Sequence, residues 1–173
     1  MHVIKMTLIA VAATFAWSAA AEAITVKKRI EAPGLPDEVW AITGEGFCKI
    51  KDWHPAVAEC EEVTEGSDTY RLLTLKDGGK IKEKLTGKDD MSYSYEIVES
   101  PLPVKNYTAK FWVEDSDRAN RTVIHWDAEF DASGASDEEA AKTIGGIFTA
   151  GLKGIKQMAL PPDEDNPGNE DRD

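Results

Sequence analysis

Residues 136–160 read SDEEAAKTIGGIFTAGLKGIKQMAL and predict one long amphipathic helix. Ser136 and Glu139 form the capping-box pattern of a helix N-terminus, while Pro161 and Pro162 stop the helix at its other end. Between these signals, apolar residues recur every three or four positions, which places them on one face. Such a face has to cover apolar surface elsewhere in the chain.

That apolar surface is supplied by strands, because most of the preceding chain alternates between apolar and polar residues. The alternation predicts strands at 24–30, 57–63, 70–75, 81–85, 91–98, 106–114 and 122–130. A short helix begins at Pro36, and Asp77-Gly78-Gly79 is a hairpin signal between two strands. Strands joined by short polar turns form an antiparallel sheet. The predicted fold class is α+β, with a curved antiparallel sheet of about six to seven strands wrapped around the C-terminal helix.

Two terminal segments lie outside the predicted domain, which covers residues 24–160. Residues 1–23 have the form of a cleaved bacterial signal peptide, because Lys5 precedes an uncharged apolar stretch that ends near Ala21-Glu22-Ala23. This stretch of about 15 residues is shorter than the ~20 that cross a bilayer, so a retained anchor is the less favoured alternative. Residues 161–173 hold six acidic residues and are predicted to be a disordered acidic tail. The sequence therefore predicts a periplasmic protein.

The net charge of the chain is −12 at pH 7, with 32 acidic residues against 20 basic ones. A surface of this sign repels nucleic acid and anionic lipid, so neither is a predicted partner. It can attract a basic partner protein, or it can simply keep an exported protein in solution. No segment after residue 23 is apolar enough to span a membrane. No motif for a cofactor or a metal is present, and neither is predicted.

Cys48 and Cys60 are the two cysteines of the chain, and they lie twelve positions apart. In the oxidising compartment that export implies, an even number of cysteines favours a disulfide. A pair of buried thiols is the alternative, since reduced cysteine packs as a small hydrophobic residue.

Strand parity predicts which side chains face the interior, and with them a ligand pocket. Glu83 shares this face with apolar residues two positions away on either side. We expect it to serve the pocket, to lie on a locally inverted strand, or to pair with a lysine at the rim. A largely apolar cavity with a few polar groups is typical of a small-molecule site. The predicted pocket residues are Leu73, Leu75, Ile81, Glu83, Tyr95, Tyr107, Phe111, Trp126, Ile147, Phe148, Gly151, Leu152 and Ile155.

An enzymatic function would require a placed acid or base. The candidates for cyclase or dehydratase chemistry are Glu83, Tyr95, Tyr107 and His54. The sequence holds no nucleophile with an adjacent base and no phosphate-binding loop. The predicted turn Trp53-His54-Pro55 is assigned a structural role. No catalytic residue is therefore predicted, and a noncatalytic binding or accessory protein is favoured over an enzyme.

Several segments carry a family resemblance. They are residues 39–42 (VWAI), 53–60 (WHPAVAEC), 73–79 (LTLKDGG), 95–104 (YEIVESPLPV) and 106–107 (NY). Together they resemble the SRPBCC superfamily, which includes START-type lipid binders, polyketide cyclases and the plant abscisic acid receptors. The resemblance implies the helix-grip fold and a cavity for an apolar small molecule or lipid.

The resemblance to the receptors places two loops at the mouth of this cavity. Residues 76–79 fall where the receptors have their gate loop, and residues 100–104 fall near their latch loop. The Ser-Gly-Leu-Pro sequence of the gate is absent here, and Ala58 stands where the receptors keep a cavity lysine. A carboxylate hormone is therefore not the expected ligand. The predicted mouth residues are Asp77, Gly78, Gly79, Pro101, Leu102 and Pro103.

Within the superfamily, an exported single domain with Trp53-His54-Pro55 most resembles the MxaD-type periplasmic accessory proteins of bacterial methanol oxidation. This resemblance implies a role in electron transfer from a quinoprotein methanol dehydrogenase to its cytochrome acceptor, with a basic periplasmic redox protein as partner. Two other functions stay open. One is a carrier of an apolar small molecule or lipid, and the other is a polyketide cyclase- or dehydratase-like enzyme.

Overall fold

The computed structural model describes residues 22–160. The predicted acidic tail and residues 1–21 of the predicted signal peptide lie outside the described residues, so both stay predictions. The elements are β1 (Ile24–Pro33), α1 (Pro36–Thr43), a 3₁₀ turn (Phe47–Lys49), α2 (Ile50–Trp53), β2 (Val57–Glu65), β3 (Asp68–Leu75), β4 (Lys80–Asp89), β5 (Ser92–Glu99), β6 (Val104–Asp115), β7 (Arg121–Ala132) and α3 (Asp137–Ala159).

The seven strands form one antiparallel sheet in the order β1-β7-β6-β5-β4-β3-β2. β1 pairs with β7, and the remaining strands follow one another as a meander. Register shifts in β4 and β6 bend the strands and so help the sheet to curve. The curved sheet and the C-terminal helix confirm the predicted α+β class and helix-grip fold.

The N-terminus of α3 is capped in the predicted way. The Ser136 hydroxyl accepts a hydrogen bond from the Glu139 backbone N–H at 3.3 Å, and the Ser136 backbone N–H donates to the Glu139 carboxylate at 3.1 Å. Two otherwise unpaired backbone donors are satisfied by this capping box. One face of the helix is buried, and its members are Ala140, Ile144, Phe148, Gly151, Leu152 and Ile155.

The segment between α1 and β2 is held in place by a disulfide. Cys48 and Cys60 form the predicted bond, with their Cα atoms 5.5 Å apart. The bond joins the 3₁₀ turn to β2 and closes a loop that contains α2 and Trp53-His54-Pro55. In the chain-entropy model, closing a loop of this size stabilises the folded state by about 3 kcal/mol. Stable disulfides are typical of exported proteins.

Aromatic rings fill the part of the interior between α1, α2 and the middle of the sheet. Phe111 is fully buried and stacks on Trp53 and Tyr93, with ring centroids 5.7 Å and 5.3 Å apart. Trp40 and Phe47 lie against the same group. Among residues 22–160, no helix is both long enough and apolar enough to cross a membrane.

Candidate functional site

The rest of the interior contains a cavity of about 70 Å³ between α2, the sheet and α3. Pockets for drug-sized ligands usually measure about 300–1,000 Å³, so this cavity suits a much smaller molecule. It is lined by Ile50, His54, Ala56, Val57, Leu73, Leu75, Ile81, Glu83, Tyr95, Ile97, Leu102, Tyr107, Trp126, Ile144, Ile147 and Phe148.

Most of the predicted pocket residues lie together on the wall of this cavity. They are Leu73, Leu75, Ile81, Glu83, Tyr95, Tyr107, Trp126, Ile147 and Phe148. Four others do not line it. Phe111 belongs to the aromatic group, Gly151 faces the Trp53-His54 segment, and Leu152 and Ile155 are buried in the core away from the cavity.

The prediction missed several lining residues. Ile97 and Val57 could have been found, because Ile97 shares the parity of Tyr95 and Val57 begins a predicted strand. Ile144 was recognisable as a member of the apolar helix face. Ile50 and Ala56 carry no pattern that points to a ligand, because their place on the wall depends on how the loop around α2 folds.

A buried ion pair lies beside the cavity. Arg71 Nε donates to Glu83 Oε2 across the paired strands β3 and β4, and Arg71 Nη1 donates to the Phe47 carbonyl at 2.8 Å. The guanidinium lies over the rings of Phe47 and Tyr95, 4.2 Å and 4.8 Å from their centroids. Burial alone would lower the pKa of Arg71, but the Glu83 carboxylate and the tyrosines Tyr93 and Tyr95 raise it overall. Arg71 therefore stays charged.

This pair decides between the three expectations for Glu83. Its strand is not inverted, since Glu83 faces the interior and is only 5% exposed. Its partner is an arginine that is fully buried, rather than a lysine at the rim. Arg71 has the parity of Leu73 but was not among the predicted pocket residues, because arginine is rarely a buried residue.

Two tyrosine hydroxyls form the other polar part of the wall. Trp126 Nε1 donates to the Tyr95 hydroxyl at 2.8 Å, and the Tyr95 and Tyr107 hydroxyl oxygens lie 3.4 Å apart. Burial raises the pKa of both tyrosines well above the ordinary value of a phenol. Both groups are therefore neutral hydrogen-bonding partners at physiological pH.

His54 fixes the loop after α2 to the middle of α3. The Ala56 backbone N–H donates to His54 Nδ1 at 3.2 Å, and His54 Nε2 lies 3.1 Å from the Ile147 carbonyl oxygen. Because Nδ1 accepts, the proton of the neutral ring is on Nε2 and is donated to Ile147. Burial lowers the pKa of His54 and so favours this neutral form.

Two glycines of α3 allow this loop to approach so closely. A Cβ at Gly151 would lie 2.7 Å from His54 Cδ2 and 2.8 Å from the Trp126 ring. A Cβ at Gly154 would overlap the Trp53 carbonyl oxygen. The helix-weakening glycines are therefore needed where Trp53-His54-Pro55 contacts the helix.

The two predicted mouth loops meet beside the cavity. The Asp77 carboxylate accepts a hydrogen bond from the Gly79 backbone N–H at 2.9 Å, and Gly78 has a φ of +90°. A Cβ at Gly79 would lie 3.7 Å from Pro101 Cγ, so the two loops are in contact. Leu102, on the second loop, reaches the cavity wall.

Residues 23–159 match the family described as polyketide cyclase / dehydrase and lipid transport. The chain belongs to this family. Membership confirms the superfamily that the sequence segments resemble. No curated protein matches the sequence.

Solved structures of three other proteins resemble this member of the polyketide cyclase / dehydrase family. The protein XoxI from Bacillus cereus is 33% identical, with 79% of this chain and 95% of that chain covered and a TM-score of 0.74. An uncharacterized protein from Bacillus thuringiensis is 31% identical, with 80% and 100% covered and a TM-score of 0.75. The Zhui aromatase/cyclase from Streptomyces sp. R1128 is 16% identical with a TM-score of 0.64 and shares the fold alone, over 79% of this chain and 93% of its own.

Proposed function

We propose that this protein is an exported, noncatalytic binding protein whose cavity takes a small apolar ligand with one hydrogen-bond donor. The position of Glu83 carries the proposal. Glu83 lines the cavity, and within residues 22–160 its one hydrogen bond uses Oε2, which leaves Oε1 for a ligand O–H or N–H group. A hydrogen bond to a charged acceptor contributes about 1.5–3 kcal/mol.

The remaining wall suits the apolar part of such a ligand. Leu73, Ile81, Ile97, Leu102 and Ile147 surround the same space as the carboxylate. Burial of apolar surface contributes about 25 cal/mol per Å². The small volume favours a ligand of a few non-hydrogen atoms over a lipid chain.

Contacts within the protein already engage the groups that acid–base chemistry would need. Glu83 is held by Arg71, Tyr95 accepts from Trp126, and His54 uses both ring nitrogens in backbone hydrogen bonds. The raised pKa of Tyr95 also opposes its use as a base. These contacts support binding rather than turnover.

A matched pair of small probes tests this proposal. 1-Propanol and 1-chloropropane have similar shapes, but the alcohol alone has a donor. We expect both to cause saturable NMR shifts at Ile81, Ile97 and Leu102, with the alcohol bound about tenfold more tightly. Equal affinities would remove the role of Glu83, and absence of saturation for both would remove the cavity as a binding site.

We further propose that the protein assists methanol oxidation in the periplasm as an accessory protein. The supporting observations are the resemblance of Trp53-His54-Pro55 and its flanks to the MxaD type, the similarity to XoxI, and the net charge of −12, which suits a basic redox partner. The disulfide is consistent with the predicted periplasmic location.

Native mass spectrometry of the protein purified gently from periplasm at low salt tests the accessory role. We expect a complex with a redox protein whose abundance falls as salt is raised. A bare monomer at low salt, with methanol dehydrogenase and its cytochrome acceptor both present, would contradict it.

A further inference from the structure

A groove of about 790 Å³ runs between β1 and α3, on the outside of the domain. Four of its lining residues are lysines and none is acidic, although the chain as a whole is strongly acidic. The lysines are Lys27 and Lys28 on β1, and Lys142 and Lys153 on α3.

Most of this positive charge is not neutralised by the domain itself. Lys27 lies 3.5 Å from the Asp127 carboxylate. Within residues 22–160, Lys28, Lys142 and Lys153 have no carboxylate at salt-bridge distance, and all three are exposed. Lysine on an edge strand discourages pairing with other chains, which accounts for the two on β1 but not for the two on α3.

The floor of the groove is open at the helix. A Cβ at Gly146 would meet no atom within 4 Å, and one at Gly145 would contact only Lys28 and Val26, at 3.5 Å and 4.0 Å. These glycines therefore differ from Gly151 and Gly154, which packing requires. They widen the groove at the cost of helix propensity.

We propose that this basic groove binds the chain's own acidic C-terminal segment, residues 161–173. The segment contains six acidic residues and one basic residue, so its charge is opposite to that of the groove. It follows α3 directly, and α3 forms one wall of the groove along its length. Tethering raises its local concentration into the millimolar range, which favours even weak contacts.

The segment is long enough for this path. At 1.5 Å per residue, Lys153 lies about 10 Å and Lys142 about 27 Å back along the helix from Leu160. Thirteen extended residues span up to about 43–47 Å. The first acidic cluster, 163–165, can therefore reach Lys153, and the second, 170–173, can reach Lys142 and Lys28.

Binding of this segment would cover β1, which is an edge strand of the sheet. An uncovered edge offers unpaired backbone groups to other chains. The docked segment would thus shield that edge and neutralise the lysines of the groove.

Zero-length carbodiimide cross-linking tests the proposal. The reagent joins a carboxylate and a lysine amine in direct contact as an amide, and the carbodiimide takes up the elements of water to become a urea. In protein expressed with residues 1–173 and purified from periplasm, we expect peptide mapping to find links from residues 163–173 to Lys28, Lys142 and Lys153. The control lysines Lys51 and Lys80 should stay unlinked. Raising NaCl from 20 mM to 500 mM should lower the yield about tenfold, because salt screens exposed charges.

Substitutions of groove residues distinguish binding in the groove from general electrostatic attraction between the acidic segment and the lysines. A Cβ at Gly146 meets no atom within 4 Å, so Gly146→Leu places a bulky side chain at the open part of the groove and should lower the yield at Lys28 about fivefold. Lys142→Gln with Lys153→Gln should lower the yield at Lys28 by about as much. The matched control, Lys51→Gln with Lys80→Gln, should leave it unchanged. Circular dichroism confirms that each variant is folded.

Three outcomes would overturn the proposal. Links spread evenly over all exposed lysines would mean that the segment has no preferred site. Links between ¹⁴N- and ¹⁵N-labelled chains in a mixed sample would assign the groove to a second copy. Absence of links, together with shifts of the Gly145 and Gly146 amides on addition of polyglutamate, would assign it to an external acidic partner.

Discussion

Removal of one member of the buried Arg71–Glu83 pair should be far more damaging than removal of both. Glu83→Leu leaves a fully buried guanidinium without its carboxylate, and Arg71→Met leaves the carboxylate without its cation. Breaking a buried pair in this way costs about 3–5 kcal/mol, whereas exchange of both partners for apolar residues is often neutral. At about 2–4 °C per kcal/mol, each single variant should lose about 6–20 °C in Tm.

The double variant has one cost that the pair itself does not explain. Without Arg71, the Phe47 carbonyl loses the donor that now lies 2.8 Å away, at about 1–3 kcal/mol. We therefore expect the double variant Arg71→Met/Glu83→Leu to be less stable than the wild type. Its free energy of unfolding should nevertheless exceed that of the less stable single variant by at least about 2 kcal/mol. The free energy of unfolding in urea, with the disulfide intact, is the quantity to measure.

A partly exposed pair between the same two strands provides the control. Lys84 Nζ lies 2.8 Å from the Asp68 carboxylate, with the two side chains 28% and 42% exposed. Lys84→Met and Asp68→Ala should leave the urea midpoint almost unchanged. If Glu83→Leu were as mild as these, or if the two buried substitutions were additive, the reasoning from burial would be refuted.

Three further predictions concern His54, the helix glycines and the disulfide. Because burial lowers the pKa of His54 below 6.5, stability should be complete above pH 6.5 and fall below it, by at most about 1.4 kcal/mol per pH unit. His54→Gln should flatten that part of a urea-unfolding pH profile, and an unchanged slope would contradict the assignment. Gly154→Ala should lower Tm because its Cβ overlaps the Trp53 carbonyl oxygen. Gly146→Ala should instead raise the free energy of unfolding by about 1 kcal/mol, because its Cβ meets no atom within 4 Å and alanine favours a helix. Thermal unfolding scans of the two variants test both predictions. Replacement of Cys48 and Cys60 by serine should lower the free energy of unfolding in urea by about 3 kcal/mol. Reduction of the wild-type disulfide should lower it by the same amount, and a smaller loss would contradict the prediction.

The architecture was predictable because local rules and tertiary structure agree. The capping box at Ser136, the apolar face of α3 and the alternation of the strands each follow from short-range periodicity, and each is present in the structure. The inward direction of Glu83 followed from parity alone. These features need no knowledge of distant contacts.

The polar part of the site was less predictable because it depends on distant pairings. Arg71 meets Glu83 through the register of β3 with β4, and it meets Phe47 through the fold of the preceding loop. The size of the cavity depends on which aromatic rings turn inward together. Phe111 has the same parity as the cavity residues, yet Trp53 and Tyr93 surround it. Composition does not distinguish a ring that lines a space from one that fills it.

The disulfide has a consequence for ligand binding that extends beyond its own loop. Cys48 and Cys60 lie on either side of Trp53-His54-Pro55, and α3 packs against that segment at Gly151 and Gly154. The bond therefore holds both ends of one wall of the cavity, while His54 joins that wall to the helix opposite. Before the bond forms, the turn is anchored by packing and hydrogen bonds alone. Oxidation of the two cysteines therefore adds a covalent restraint to this wall of the cavity.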